Sequence, residues 1–311
     1  MSVELKSIWN LSQLERIRCD CCACEDTRLV CIRPDGLRVE ECRKCGLAFV
    51  NPRPKISQIQ KLYEEDYFKK PGCPAASIGY ADYESWAGGV QQNDPPHEME
   101  ILSRYRPIAG ADLLEIGCAT GHFLLAARKA GACAVGLEVS QYAAAIASDR
   151  YGLDVHVGAI DTVPWKGASF DVVVALELVE HVLSPTDFFR RVRELLRPRA
   201  VLLLSTPNYA CARELGERWL GFQTSFEHLF FFTREVLNCM TGRIGFRELY
   251  CETSGNCTSP QTAGPAFRRT LRRAIATIPG ARLLWRWVQR RPDRWVRFGW
   301  GHRLLAIYEK V

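Results

Sequence analysis

The sequence predicts an α/β fold, a doubly wound and mainly parallel sheet of seven strands, preceded by a small cysteine-rich unit. Three observations carry this expectation. Short apolar runs alternate with helical stretches from residue 111 onward, four early cysteines fall into two C-x2-C pairs, and a glycine-bearing loop joins the first apolar run to the first helix. Such alternation specifies βαβ units with helices on both faces of a sheet.

The cysteine unit comes first. Cys19 and Cys22, then Cys42 and Cys45, have the spacing of a four-thiolate zinc ribbon. Each C-x2-C turn aims two sulfurs at one tetrahedral ion, and four thiolates leave no open position, so the zinc is expected to be structural. Cys21 and Cys24 offer a competing first pair, and the spacing admits both registers. Too few residues are present here to build a core without metal. The turn-rich Asn51-Pro52-Arg53-Pro54 closes the unit, giving a ribbon module over 1–54. Residues 55–110 are polar and aromatic, with a breaker cluster Asn93-Asp94-Pro95-Pro96 before a helical stretch from His97 to Tyr105, and read as a linker or lid.

Residues 111–311 form the main domain. Its strand candidates are 111–116, 132–138, 153–157, 171–176, 200–205, 246–250 and 304–310, and its helices 121–130, 140–151 and 186–197. A basic helical insertion, 252–302, separates the last two strands. A chain of 311 residues and 47% apolar composition can bury one such core and carry a satellite. The fourteen cysteines cluster, no apolar run of about 18 residues appears and the start lacks a signal-peptide plan, so reduced thiols and a cytoplasmic location are expected.

The loop at 113–121 ends a strand and opens a helix, where glycines let backbone approach a ligand and N–H groups point outward. The next strand ends in Glu138, an acid placed to hold both hydroxyls of a ribose. The fingerprint G-x-G-x-x-G of dinucleotide-binding dehydrogenases is absent; Glu115-x-Gly117-x-x-x-Gly121 stands instead.

These residues carry a resemblance. Glu115-Ile116-Gly117-Cys118-Ala119-Thr120-Gly121 is similar to motif I of class I S-adenosylmethionine-dependent methyltransferases, and Val135-Gly136-Leu137-Glu138 to their acidic motif II. The likeness continues through 158–164, Ser169-Phe170-Asp171, Glu180-His181, Leu195-Leu196-Arg197-Pro198 and Ser205-Thr206-Pro207-Asn208. Two departures stand out: Ala119 replaces the family's middle glycine, and Arg199-Ala200 replaces the glycine pair after Arg-Pro. The resemblance implies S-adenosylmethionine as cofactor. Glu115, Gly117 and Gly121 would cradle its methionine end, with Cys118 and Ala119 in the same loop. Glu138 and Val139 would flank the ribose, and Ile160 and Asp161 the adenine, with Leu176 nearby.

On the reactive side, Glu177, Glu180 and His181 share one face of a helical turn. The run resembles ubiquinone-pathway O-methyltransferases and small-RNA terminal 2′-O-methyltransferases, which use a divalent ion; in the latter a further histidine arrives from beyond a Thr-Pro-Asn segment, a place taken here by His228. Two expectations stay open. Glu177, Glu180, His181 and His228 hold Mg²⁺, which would chelate a diol, or His181 or His228 acts directly as a base beside Glu180.

Between Pro265 and Arg303 lie eleven arginines, four tryptophans and a single acid, Asp293. Basic amphipathic helices of this kind suit an anionic membrane surface and a lipid-linked acceptor, or, less well, an RNA backbone, or a lid or dimer surface with solvated arginines. An N-terminal ribbon with this methyltransferase type resembles a bacterial group acting on glycans and natural products. The leading expectation is therefore O-methylation of a small molecule or glycan. RNA 2′-O-methylation, sugar C-methylation and a zinc-containing binding protein without activity are the alternatives.

Overall fold

The structure, a computed structural model, describes residues 9–60, 96–163, 165–255 and 302–311. The basic segment 265–300 and most of the linker fall outside those residues. Among the described residues no helix is long and apolar enough to cross a membrane.

In chain order the ribbon comprises β1 (Leu14–Glu15), β2 (Thr27–Ile32), β3 (Arg38–Cys42), β4 (Ala48–Val50), β5 (Arg53–Pro54) and the short helix α1 (Ile56–Gln60). Then follow α2 (His97–Ser103), β6 (Asp112–Ile116), α3 (His122–Lys129), β7 (Cys133–Glu138), α4 (Gln141–Tyr151), β8 (Asp154–Val157), β9 (Phe170–Leu176), α5 (Pro185–Leu195) and β10 (Leu196–Pro207). Two short helices, α6 (Ala212–Leu215) and α7 (Leu220–Gln223), precede β11 (Phe230–Phe231), α8 (Arg234–Ile244), β12 (Phe246–Ser254) and β13 (Arg303–Lys310). The seven expected strands are present, as are the three helices expected between residues 111 and 200; the helices expected in the basic insertion lie outside the described residues, and β12 extends to Ser254, into what the sequence assigned to the insertion.

The main sheet has seven strands in the order β12-β13-β10-β9-β6-β7-β8. β13 is antiparallel to both neighbours, and the remaining described pairings are parallel. Side chains alternate between its faces as the pleat requires. Leu114, Ile116, Val173, Ala175, Leu202 and Leu204 pack on the face that carries α5, α8 and the ribbon. Leu113, Val172, Val174, Val201 and Leu203 pack on the opposite face with α2 and α3. Fully burying each such side chain contributes roughly 1.5–3 kcal/mol before entropy is counted, which is why continuous Val/Leu runs become central strands.

Local signals set the helix limits. Ser184 caps α5 by accepting from the Asp187 amide, Pro185 begins the helix, and Phe188, Phe189, Val192 and Leu195 form its buried stripe. Ser140 caps α4, which ends at left-handed Gly152. The register of β10 on β9 shifts between Leu196 and Val201, and there Arg199 has φ +61°. That is the position where the resemblance leads one to expect glycine. Left-handed backbone costs a non-glycine residue on the order of 1 kcal/mol, so Arg199→Gly is expected to raise Tm by about 2–4 °C. Thermal unfolding checks this, and an unchanged or lower Tm would mean the strain is relieved elsewhere.

The ribbon does not stand apart from the main domain. Its four-stranded antiparallel sheet has the order β11-β4-β3-β2, so its last strand comes from beyond residue 228, with Phe230 opposite Phe49 and Phe231 opposite Ala48. Asp20, inside the first cysteine turn, accepts from the Ser184 hydroxyl at 2.8 Å and the Thr186 amide at 2.7 Å. Arg243 donates to the Cys21 carbonyl, and Tyr209 to Glu41.

Candidate active site and cysteine centre

The strand order reverses at β6, which has β7 on one side and β9 on the other, and ligands of open α/β sheets settle in the crevice at such a switch point. The glycine loop lies there. Gly117 has φ +72°, and a Cβ on it would meet Leu178 Cδ1 at 3.0 Å. Gly121 is left-handed at the start of α3, where no side chain caps the helix. A Cβ on it would meet Leu153 at 2.4 Å, so its smallness serves helix packing beneath the loop. Cys118 points down, because a side chain at Gly136 would strike its sulfur at 2.7 Å, which leaves only its backbone for the cleft. Ala119 adopts φ +46° at the position of the family's middle glycine, and its amide donates to Glu138 Oε2 at 2.9 Å.

Glu138 also accepts from the Ser140 amide at 2.9 Å, and Gly158 donates to its carbonyl, bringing the Ile160–Asp161 turn beside it. Val139 is exposed, Asp161 is exposed, and Ile160 and Leu176 are half-buried. Glu115 is buried, and its Oε2 has no hydrogen-bond partner among the described residues. A buried carboxylate with one unpartnered oxygen at a glycine loop fits a cationic ligand such as the methionine end of S-adenosylmethionine.

Burial pushes the Glu115 carboxyl well above the carboxylate value of 4.5, the Leu124 amide opposes this, and the Glu138 charge adds to it. From pH 4.5 upward the unfolded chain releases a proton that the fold retains, so this group lowers stability as pH rises. Glu115→Gln removes the term. The variant is expected to match the wild type near pH 4, to exceed it in Tm at pH 8, and to bind S-adenosylmethionine about tenfold more weakly. Parallel Tm curves against pH would show that another group titrates.

Past β9, the structure brings Glu180, His181 and His228 together with one ligand atom from each within 4.8 Å of the others. The two imidazoles meet edge to face at 4.6 Å between centroids. Neither Glu180 oxygen nor His228 Nδ1 has a hydrogen-bond partner among the described residues; Thr206 stands beside Glu180 and opposes the rise of its carboxyl pKa, yet the Thr206 hydroxyl makes no formed bond. Burial pushes Glu180 well above 4.5, and the charge of Glu177 adds to this. Burial pulls His181 down to about 4, against a hydrogen bond with the Glu227 backbone, and holds His228 well below 6.5 with help from His181 and Arg33. At neutral pH the two imidazoles are uncharged.

Glu177, expected with this set, is drawn elsewhere. Its Oε1 accepts from Arg303 Nε and from the Ser205 hydroxyl, each at 2.7 Å, at a backbone φ of +49°. The guanidinium competes for the carboxylate, and the converging donors are one acid and two histidines. Arg303 itself was counted with the basic surface segment. It is instead the first residue of β13, with further bonds to Glu98 and to Ser205. Glu98 and His302 belong to no motif in the sequence; the imidazole of His302 packs edge-on to Trp219 and adds to the depression of His228. Only the contrast between Arg303 and the apolar strand after it hinted at a buried role.

The cysteine centre resolves the register. Cys19, Cys22, Cys42 and Cys45 converge, with sulfurs 3.3 Å apart for Cys19 and Cys45 and 3.5 Å for Cys22 and Cys42. Around an ion bound at about 2.3 Å, thiolates would sit about 3.8 Å apart, a small adjustment. Both turns share one geometry: the Ala23 amide donates to the Cys19 carbonyl as Gly46 does to that of Cys42, and both donors are left-handed. A small residue after the second cysteine suits that conformation, whereas the Cys21/Cys24 register would place Glu25 there. Elsewhere among the described residues Cys31, Cys118, Cys133, Cys239 and Cys251 are free thiols, as expected, whereas Cys211 is disulfide-bonded.

Comparison with known proteins agrees with this geometry. A family model described as a methyltransferase domain matches residues 92–250, about half of the chain. The ubiquinone biosynthesis O-methyltransferase of Ruegeria pomeroyi is 35% identical over 133 residues, 38% of this chain and 53% of that protein. Its counterpart in Azorhizobium caulinodans is 34% identical over 108 residues, 33% of this chain and 43% of that one. The chain thus spans about half the length of the curated relatives it matches. A SAM-dependent methyltransferase structure from Thermotoga maritima superposes with a TM-score of 0.50 at 18% identity, over 74% of this chain and 95% of that one, a likeness of fold. With its glycine loop, its acid at the end of β7 and the antiparallel β13 in its main sheet, the chain belongs to the class I S-adenosylmethionine-dependent methyltransferase family.

Proposed function

We propose that the protein transfers the methyl group of S-adenosylmethionine to a hydroxyl of a small-molecule or glycan acceptor, at a site where Glu180, His181 and His228 hold a divalent cation. The observation that carries this is the buried, unpartnered Glu180 carboxylate facing two neutral imidazoles beside the glycine loop. The names of the relatives, ubiquinone biosynthesis O-methyltransferases, support an oxygen acceptor.

S-Adenosylmethionine supplies a methyl group on a positively charged sulfur. Glu138 offers lone pairs to the ribose hydroxyls, Glu115 faces the methionine end, and the backbone of Gly117 to Gly121 shapes the cradle. A divalent cation supplies Lewis acidity that lowers an acceptor hydroxyl's pKa. One carboxylate and two imidazoles suit a transition-metal ion better than Mg²⁺, whose usual ligands are oxygens. Leu178 lies over Gly117 at the edge of the cradle. Cys19, Cys22, Cys42 and Cys45 would hold a structural zinc. A second reading rests on His228 Nδ1, which is buried and unpartnered and can take the acceptor proton directly.

The test is methyl transfer from radiolabelled S-adenosylmethionine to catechols and sugars, with zinc content followed by mass spectrometry. Transfer that stops with chelator and returns with Mn²⁺ while zinc is retained supports the cation. Unchanged transfer favours His228 as base, and failure to bind S-adenosylmethionine overturns both readings.

A further inference from the structure

The ribbon's hairpin between β2 and β3 carries a buried ion pair that nothing in the cofactor cleft or the cysteine centre requires. Arg33 and Asp35 have side chains without solvent exposure, 2.5 Å apart. Asp35 is itself fixed by the Leu37 amide at 3.2 Å and by Trp9 Nε1 at 2.8 Å. Beyond this pair Arg33 reaches 195 residues along the chain, where Nη1 donates to the His228 carbonyl at 2.8 Å and Nη2 to the Phe226 carbonyl at 2.8 Å. A longer contact joins Nη1 to the Ser225 carbonyl at 3.5 Å, and the guanidinium lies over the Phe226 ring.

The same loop is held from its other side by the amides of Leu229 and Phe230, which donate to the Glu180 carbonyl, and by Val50, which donates to Leu229. The backbone of His228 is therefore stretched between a ribbon guanidinium and the residue that carries the site's carboxylate. A planar fork with five donors fits several carbonyls at once.

We propose that Arg33, oriented by Asp35, is a positioning residue: it sets the His228 imidazole against Glu180 and His181 and makes the ribbon part of the cation site. The inference rests on the proposed role of those three residues, and the experiment separates the two. Full-length, zinc-loaded protein is labelled with ¹⁵N-histidine, and the ring signals of its six histidines are recorded at fixed pH with and without Mn²⁺. The variants are Arg33→Lys, Arg33→Met with Asp35→Leu, and Arg243→Ala as a ribbon-contact control.

In the wild type Mn²⁺ broadens His181 and His228 first. In the double variant those two signals shift, His122 and His156 stay in place, and the Mn²⁺ dissociation constant rises at least tenfold; Arg33→Lys falls between and Arg243→Ala matches the wild type. A folded double variant with unchanged His181 and His228 signals and unchanged affinity overturns the proposal. Should the double variant fail to fold, Arg33→Lys decides, since lysine keeps the charge beside Asp35 without the fork. Absence of Mn²⁺ broadening in the wild type sinks the cation reading alone, because the ring shifts still report positioning.

Discussion

If Cys19, Cys22, Cys42 and Cys45 hold the proposed zinc, Cys42→Ser is expected to release it, lower Tm by well over 10 °C and loosen the active site together with the ribbon. Structural zinc sites carry an apparent binding free energy of about 10–16 kcal/mol that is largely folding energy, and the strands around this one are too few to replace it. Loss of the ribbon reaches the catalytic side by three routes. β11 loses its sheet partner β4, the carbonyls of Phe226 and His228 lose Arg33, and the first turn of α5 loses Asp20. Hydrogen exchange should therefore rise at the Leu229 and Phe230 amides as well as in the ribbon. Cys19→Ser should behave like Cys42→Ser, while Cys24→Ser should keep the metal. A zinc-free Cys42→Ser protein with native Tm and native exchange would show that the sulfurs converge without a structural ion.

Glu180→Gln is expected to separate binding from folding. Glutamine has the same shape without the charge, so Tm at pH 8 should not fall, and removal of a carboxyl whose value burial has raised favours a gain there. Cation binding should weaken by at least about 100-fold, since even outer partners of metal ligands are worth 10–100-fold, and methyl transfer should fall with it. S-Adenosylmethionine affinity should stay within about twofold, because Glu115 and Glu138 are untouched. Titration with Mn²⁺ and with cofactor on the same preparation checks both halves. Retained Mn²⁺ affinity would place the ion elsewhere.

The sequence by itself determined what depends on neighbours along the chain. Alternating apolar runs specified the seven strands, and the glycine loop with Glu138 at the end of the next strand marked a candidate cofactor cleft. Paired C-x2-C turns likewise marked the cysteine centre. All of these follow from local periodicity or from geometry within a few residues. Tertiary structure decided which charges meet. Glu177 looked like a partner of Glu180 because one helical turn was expected to carry both, yet no helix forms between β9 and α5, Glu177 is left-handed, and Arg303, 126 residues away, holds it. The module boundary near residue 54 gave no sign that β11 would complete the ribbon's sheet, because a two-residue strand has no pattern of its own. Arg33 and Asp35 belong to no motif in the sequence; they are buried because the hairpin folds over the loop of His228. Long-range pairing of buried charges is set by which surfaces the core brings together, and that information is spread over the whole chain.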